Sequence, residues 1–280
     1  MKQITLSLCI LLIGVAGQAA QQQVTAPNPT SLPGADSRVY KTIGEVKLYL
    51  HVFRPPNSPK PPGKSERLPA IVFFFGGGWT NGTVNQFVKH SEYLASRGMV
   101  AVVADYRVKS RHGVTPVECV ADAKSAIRWL RSHASELGID VSRIVAAGGS
   151  AGGHLAAATA LVQGLDEKGE DPKISSAPNA LVLFNPALVL APLAGVDLKG
   201  FAAKTSAERF GCEPEAISPV HHVQAGVPPT LILHGKADTT VPIETSEAFV
   251  AAMKKAGNRC EIVEYEGQPH GFFNKARYDG

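Results

Sequence analysis

Five short segments of the chain are apolar at nearly every position, namely residues 70–75, 100–104, 144–147, 181–184 and 230–233. A strand without a polar face has to be covered on both sides, which is typical of the central strands of a parallel sheet. Helical patterns lie between these runs, roughly at residues 85–97, 116–133, 151–163 and 245–256. Strands that alternate with helices predict an α/β fold, in which helices cover both faces of a mostly parallel sheet.

Two segments ahead of the core runs alternate apolar and polar residues instead. Residues 38–43 and 46–53 flank Gly44 and Glu45, and they predict an antiparallel hairpin with one solvated face. With 280 residues the chain is long enough for one large domain, which we place at residues 38–280. Residues 186–224 form a short insert between two core runs. This insert is the segment that we expect to cover the carboxyl edge of the sheet.

The first 20 residues have the order of a secretory signal peptide. Lys2 precedes an apolar run at residues 4–15, and small residues follow as far as Ala20. We therefore expect a secreted or periplasmic protein that starts near Gln21 and has a flexible, proline-containing lead-in at residues 21–37. The apolar run is too short to span a bilayer comfortably, so no stable membrane anchor is expected. The alternative is a signal peptide that is not cleaved and anchors the protein to the membrane.

Charge and cysteine content exclude several classes of partner. The net charge is only +4 and the basic residues are scattered, so no nucleic-acid partner is expected. Once the signal is removed, the cysteines are Cys119, Cys212 and Cys260, which leaves at most one internal disulfide. They lack the close spacing of a zinc site, and neither a metal nor another cofactor is expected.

The pentapeptide from Gly148 to Gly152 follows a core run directly and opens a helical pattern, with Ser150 at its centre. A sharp turn from strand to helix strains the backbone of the central serine, and glycines on either side let the chains pass closely. The pattern predicts Ser150 as a nucleophile at the carboxyl edge of the sheet, above a helix N-terminus. A phosphate-binding turn or a plain tight turn is the alternative interpretation.

A second glycine run, from Gly76 to Gly78, follows another core strand and precedes Trp79. Backbone N–H groups in such a run can point toward a developing oxyanion. We predict an oxyanion hole formed by the N–H groups of Gly77, Gly78 and Ala151, with Trp79 beside the substrate. A flexible loop is the alternative.

A nucleophilic serine needs a base, and the base needs a carboxylate that orients it. Asp238 comes just after one core run, and His270 comes just after a further strand pattern at residues 261–265. Both therefore fall at the same sheet edge as Ser150. The order Ser, Asp, His along the chain is the order that this architecture uses.

Other polar residues near these motifs have structural interpretations. His154 and His234 are expected to be buried and hydrogen-bonded. Asp105 ends a strand at the reactive edge but precedes Ser150 in the chain, so we expect it to hold Arg107 or loop backbone. Asp122 lies in a helical pattern and is expected to be a surface or capping charge.

Together these motifs resemble those of the α/β-hydrolase esterases, in particular the group with the hormone-sensitive-lipase-like glycine loop and the related secreted carbohydrate esterases. The resemblance extends over nearly the whole chain from about Arg38, and the segments that carry it are residues 75–79, 105–107, 148–153, 234–238 and 270–272. It implies the α/β-hydrolase fold and carboxylic ester hydrolysis without a cofactor. Ser150 would be the nucleophile, His270 the general base and then acid, and Asp238 its orienter.

Two departures from the family pattern lead to further expectations. Phe75 stands where the family usually has a histidine, so the hydrogen bond that steadies the glycine loop has to come from elsewhere. Relatives generally continue past the catalytic histidine into a helix that covers one sheet face, whereas ten residues follow His270. We therefore expect the usual C-terminal helix to be lacking, and apolar sheet surface to be exposed or covered by another element or subunit.

The short insert favours a shallow, open site and therefore small acyl groups. By analogy, the substrate is a small-molecule or polysaccharide ester, with acetyl or similar groups on polysaccharide as one class. A lipase would need a larger apolar lid, and a peptidase of this fold generally carries an additional domain. A non-catalytic binding module is the remaining alternative, and the presence of all three residue types in order argues against it.

Overall fold

An eight-stranded sheet forms the centre of the molecule. The computed structural model describes residues 27–56, 67–198 and 205–275, so the predicted signal peptide at residues 1–20 lies outside the described residues. The strands are β1 (Asp36–Ile43), β2 (Val46–Phe53), β3 (Leu68–Phe74), β4 (Val100–Ala104), β5 (Ile139–Gly149), β6 (Ala180–Phe184), β7 (Thr230–Gly235) and β8 (Cys260–Tyr265).

The strands are arranged in the order β1-β2-β4-β3-β5-β6-β7-β8. The β1–β2 and β2–β4 pairs are antiparallel, and the five pairs from β4 through β3 to β8 are parallel. All residues of β4 are buried, and so is β3 from Ala70 to Phe74, as expected for strands covered on both faces. The predicted α/β fold with a mostly parallel sheet is confirmed.

Seven α-helices are present in the described part of the chain. They are α1 (Val88–Ser96), α2 (Lys109–His112), α3 (Pro116–Ser132), α4 (Ala134–Leu137), α5 (Ala151–Leu161), α6 (Ala207–Phe210) and α7 (Ile243–Lys255). The first predicted helix begins as a 3-10 turn, Val84–Phe87. The Thr83 hydroxyl caps this turn by accepting from the N–H of Asn85. No described helix is both long enough and apolar enough to cross a membrane.

The described part of the lead-in lies against the sheet. Strand β1 starts at Asp36, two residues earlier than predicted, and forms the expected hairpin with β2. Upstream, the side-chain amide of Asn28 donates to the carboxylate of Asp105, and its oxygen accepts from the N–H of Val84 at 3.2 Å. Leu32 packs against the core. The segment from Pro27 onward is therefore held at the carboxyl end of β4.

Asp122 is a buried ion-pair partner, and its prediction as a surface charge was wrong. Its side chain is fully buried in α3, receives both arms of the Arg107 guanidinium at 2.8 Å, and lies 2.7 Å from the ammonium of Lys41. Because α3 packs against β1, this helix face is turned inward, and two cations compensate the buried carboxylate. Arg107 is thus held by Asp122. Of the two roles expected for Asp105, contact with Arg107 is absent from the described residues, whereas a hydrogen bond from loop backbone, the N–H of Tyr106, is present.

Apolar side chains remain partly accessible on one face of β6, β7 and β8. Phe184, Leu233 and Val263 are neighbours in register there, and Val263 is 43% exposed. The described residues leave this strip of the sheet incompletely covered.

The cysteines Cys119, Cys212 and Cys260 carry free thiols.

Candidate active site

Ser150 lies in the turn between β5 and α5, with φ +56° and ψ −119°. Such a conformation costs free energy for a residue other than glycine. The neighbouring chains leave no room for a side chain at the flanking positions: a Cβ on Gly148 would lie 2.4 Å from the oxygen of Gly152, and a Cβ on Gly152 would lie 2.0 Å from the oxygen of Phe74. Both parts of the predicted turn, the strained serine and the close approach at the glycines, are therefore present.

Ser150, His270 and Asp238 come together at the carboxyl edge of the sheet. The Nε2 atom of His270 lies 2.9 Å from the Oγ of Ser150, and its Nδ1 lies 2.7 Å from Oδ2 of Asp238. Asp238 follows β7, and His270 lies between β8 and a 3-10 turn at Phe272–Asn274. The side chain of Asp238 is fully buried, whereas that of His270 is 25% exposed. The imidazole thus joins a buried carboxylate to an accessible hydroxyl.

The Asp238 carboxylate accepts several hydrogen bonds in addition to the one from His270. The backbone N–H groups of Thr240 and Val241 donate to Oδ1 at 2.8 and 2.9 Å. Burial by itself would raise the pKa of Asp238, but the hydrogen bonds from His234, His270, the N–H of Val241 and Asn185 hold it well below its ordinary value. The carboxylate is therefore ionised at neutral pH and can orient the imidazole.

Asn185 is a site residue that sequence reasoning missed. It is fully buried after β6, its amide donates to Oδ2 of Asp238, and its oxygen accepts from the N–H of Gly235 at 3.4 Å. It comes directly after the core run at residues 181–184, so the rule that places polar residues at the carboxyl edge, which identified Asp238 in the loop after β7, would also have found Asn185. His234 is buried and bonded to Ser246, at 2.8 Å, and to the carbonyl of Val241, as expected.

The glycine loop is steadied by three side chains in place of the histidine that Phe75 replaces. Gln86, from the 3-10 turn, accepts from the N–H of Gly76 at 2.6 Å. The Tyr106 hydroxyl donates to the carbonyl of Phe75 at 2.7 Å, and Arg209 donates to the carbonyl of Gly78 at 3.2 Å. This accounts for the loop's support without a histidine.

Two of the predicted oxyanion donors, Gly77 and Gly78, have backbone φ values of +126° and +61° and line the same cavity as Ser150 and Ala151. Their N–H groups have no acceptor among the described residues. The N–H of Gly76, in contrast, is engaged by Gln86 and is not a candidate. Ala151 is the first residue of α5, where the N–H has no partner within the helix.

Trp79 forms a wall of the cavity and is only 4% exposed. Its indole N–H donates to Nδ1 of His154 at 3.2 Å, and its ring meets Phe210 edge to face at 5.4 Å. Burial lowers the pKa of His154 to about 4, so the ring is neutral; its Nε2–H donates to the carbonyl of Ile217 at 2.7 Å. Trp79 is thus held rigidly and offers little of its surface to a ligand.

The cavity that contains Ser150 has a volume of about 350 Å³. Larger cavities of about 520 and 650 Å³ lie beside it, next to Phe273 and His90, but Ser150 lines neither.

Asp105 is hydrogen-bonded to Asn28 and does not reach the imidazole of His270. Within the described ranges, no group of three or more potential metal ligands occurs.

The arrangement can move a proton from a hydroxyl to an imidazole. A neutral His270 that donates from Nδ1 to the carboxylate of Asp238 presents a basic Nε2 to Ser150. The resulting alkoxide would lie at the N-terminus of α5, where the helix dipole favours negative charge. This geometry supports attack of Ser150 on an electrophilic carbon.

A BD-FAE family model matches residues 59–253 of the chain. Esterase LipQ of Mycobacterium tuberculosis is 32% identical over 222 residues, which cover 75% of this chain and 50% of that protein. The chain spans about half the length of the curated relatives it matches.

Solved structures of an esterase from Thermogutta terrifontis are similar over most of the chain. One, of esterase 2 phosphonylated by sarin, has 52% sequence identity and a TM-score of 0.84, with 91% of each chain covered. Another, of the same enzyme with propionate bound, has 55% identity and a TM-score of 0.80, with 88% of each chain covered.

Proposed function

The chain belongs to the BD-FAE family and has the α/β-hydrolase fold, and on that premise we propose that it hydrolyses carboxylic esters with small acyl groups. The observation that carries the proposal is the hydrogen-bonded chain from Ser150 through His270 to Asp238, with distances of 2.9 and 2.7 Å. A hydroxyl, an imidazole and a buried carboxylate in this order form the proton-transfer unit of serine hydrolases. The esterase names of the similar proteins support the same reaction.

The first step is acyl transfer to Ser150. His270 accepts the hydroxyl proton at Nε2 while Oγ attacks the ester carbonyl carbon, and Asp238 stabilises the imidazolium that forms. The N–H groups of Gly77, Gly78 and Ala151 donate to the tetrahedral oxyanion. His270 then gives its proton to the departing alcohol oxygen as the carbon–oxygen bond breaks, which leaves an acyl-enzyme.

The second step returns the enzyme to its starting state. Water attacks the acyl carbon and gives a proton to His270, and the oxyanion forms again in the same place. The imidazolium next protonates the oxygen of Ser150, and the carboxylic acid leaves. A related enzyme, the Thermogutta esterase 2, is phosphonylated by sarin, and this supports a reactive nucleophile in the family.

Small acyl groups are favoured by the size of the cavity. Its volume of about 350 Å³ lies at the lower end of the range for small-molecule sites. Trp79 forms one wall of the cavity and packs against the fully buried ring of Phe210 behind it, which limits how far that wall can move. The propionate bound to the Thermogutta enzyme supports the same size class.

We extend the proposal to secreted or periplasmic action on acetyl or similar groups of polysaccharides. The support is the signal-peptide pattern at residues 1–20 and the position of Ser150 at an open edge of the sheet. Expression in a Gram-negative host with N-terminal sequencing tests the first part: processing near Gln21 is expected, and a retained Met1 contradicts it. Release of acetate from acetylated xylan tests the second part.

Hydrolysis of p-nitrophenyl esters from acetate to palmitate tests the reaction and its acyl preference. We expect kcat/KM to be highest for the shortest acyl chains, and Ser150→Ala to lower kcat by several powers of ten, about 10³-fold or more. A fluorophosphonate probe should add its mass to the peptide that contains Ser150. Retention of most activity in Ser150→Ala would overturn the mechanism.

The other activities of this fold give different outcomes in the same assays. A preference for palmitate would indicate a lipase, and cleavage of a chromogenic dipeptide would indicate a peptidase. Binding of acetylated xylan without turnover of any ester would indicate a non-catalytic module. Each of these results would contradict a small-acyl esterase.

A further inference from the structure

A positively charged side chain lines the cavity of Ser150 and has no part in the acyl-transfer steps. Arg209 lies in α6, within the insert between β6 and β7, and its backbone N–H donates to the capping hydroxyl of Ser206 at 3.2 Å. The next residue, Phe210, is fully buried and anchors this short helix against Trp79. The insert therefore places a guanidinium at a defined position above the reactive edge.

The guanidinium is oriented by its contacts with the glycine loop. Its Nη2 donates to the carbonyl of Gly78 at 3.2 Å, and its centre lies 5.7 Å from the centroid of the Trp79 ring. Stacking on an aromatic face and a hydrogen bond to a carbonyl both restrict the rotamers of an arginine. Because Trp79 is itself held by His154, the charged group is fixed relative to the oxyanion loop.

Arg209 contributes a positively charged group to the lining of this cavity. Of the described residues that line it, none is acidic, and Arg209 is the one with a permanent charge. The nearest carboxylate of the site, Asp238, is fully buried behind His270. Burial lowers the pKa of Arg209 from its ordinary value, yet a guanidinium stays protonated at neutral pH.

We propose that Arg209 binds a carboxylate carried by the substrate, so that the enzyme prefers esters with a negative charge close to the scissile bond. A guanidinium matches the planar geometry of a carboxylate and can donate two parallel hydrogen bonds to it. This inference rests on the proposed ester hydrolysis and names a class of substrate for it. The carboxylate can belong to the acyl part, as in a dicarboxylic half-ester, or to the alcohol part, as in an ester of an acidic alcohol.

Two pairs of esters distinguish these sources. Monoethyl succinate and ethyl butyrate differ by a carboxylate on the acyl side, and 4-acetoxybenzoate and 4-acetoxybenzamide differ by one on the alcohol side. For each ester, kcat/KM is measured for the wild-type protein and for Arg209→Gln, Arg209→Lys and Lys89→Gln. Lys89 is a matched control, because it is a cation with a side chain 72% exposed and does not line the cavity of Ser150.

The role of Arg209 is decided by the ratio of kcat/KM for the charged ester to kcat/KM for the neutral ester within each pair. Arg209 also supports Gly78, so its replacement should slow both esters of a pair, and the ratio removes this shared loss. In one pair we expect Arg209→Gln to lower the ratio by about ten-fold or more, Arg209→Lys to lower it less, and Lys89→Gln to leave it unchanged. An equal loss for the charged and neutral esters in both pairs would overturn the proposal and leave Arg209 as a support for the loop.

Binding measurements separate this inference from the proposed function. Calorimetry with succinate and with 4-hydroxybenzoate on the Ser150→Ala protein reports on Arg209 without any turnover. Weaker binding of one of these anions after the further change Arg209→Gln supports the carboxylate site, and unchanged binding of both contradicts it. A wild-type protein that hydrolyses no ester would contradict the proposed function, and the anion titration would still decide the role of Arg209.

Discussion

Replacement of Asp105 by asparagine should make the protein more stable, and increasingly so as the pH rises. The residue is 5% exposed at the end of β4, beside Asn28 of the lead-in. Burial raises the pKa of its carboxyl group from 3.8 to about 7, and the nearby negative charge of Asp122 adds to this increase. Hydrogen bonds from Asn28 and the N–H of Tyr106, together with the positive charge of Arg111, lower the pKa by a smaller amount. The folded protein thus keeps a proton on Asp105 that the unfolded chain releases.

The sign and size of the effect follow from this difference. Between about pH 4 and about pH 7 the unfolded chain has lost the Asp105 proton and the folded protein retains it, so the free energy of unfolding falls as the pH rises. At about 1.4 kcal/mol for each pH unit, the pKa values of 3.8 and about 7 correspond to a loss of about 4 kcal/mol, which is complete above pH 7. Asparagine has nearly the same shape and no proton to lose, so Asp105→Asn escapes this loss.

Urea denaturation of both proteins at several values from about pH 4.5 to about pH 8.5 measures the effect. The stabilities should be close at the acid end, and the variant should exceed the wild type by up to about 4 kcal/mol at the alkaline end. Asp140→Asn is the control, because hydrogen bonds from Ser142 and Arg143 lower the pKa of that partly exposed carboxyl group to about 2. Its replacement should not stabilise the protein at any pH. A constant difference between Asp105→Asn and the wild type would refute the argument.

Two further predictions concern residues that position the catalytic groups. In Gly149→Ala the new Cβ would lie 2.3 Å from the ring of Phe273, three residues after His270, so we expect a loss of about 1–3 kcal/mol by thermal denaturation and a lower kcat. The added change Phe273→Leu should restore both, and a lack of rescue would argue against this contact. In Asn185→Ala the Asp238 carboxylate loses a buried donor, and kcat should fall about ten-fold with little change in KM. Asn179→Ala, at the opposite end of β6, is the control in steady-state assays and should keep the wild-type kcat.

Local patterns in the chain were sufficient to predict the strands, the main helices and the three residues Ser150, Asp238 and His270. Apolar runs report burial on both faces, and the carboxyl ends of parallel strands meet at one edge of a sheet, so residues far apart in sequence could be assigned to one site. The strained turn at Ser150 was also predictable, because glycines two positions away are required by the close passage of neighbouring chains.

Contacts between elements distant in sequence could be identified only from the folded chain. Asp122 has the helical spacing of a surface charge, but packing of α3 on β1 buries it between Arg107 and Lys41. Gln86, which supports the glycine loop, and Arg209, which lines the cavity, come from a turn and an insert without recognisable motifs. The periodicity of apolar residues indicates which residues are buried. The partner of a buried polar group, in contrast, depends on which distant segments of the chain meet in the folded structure.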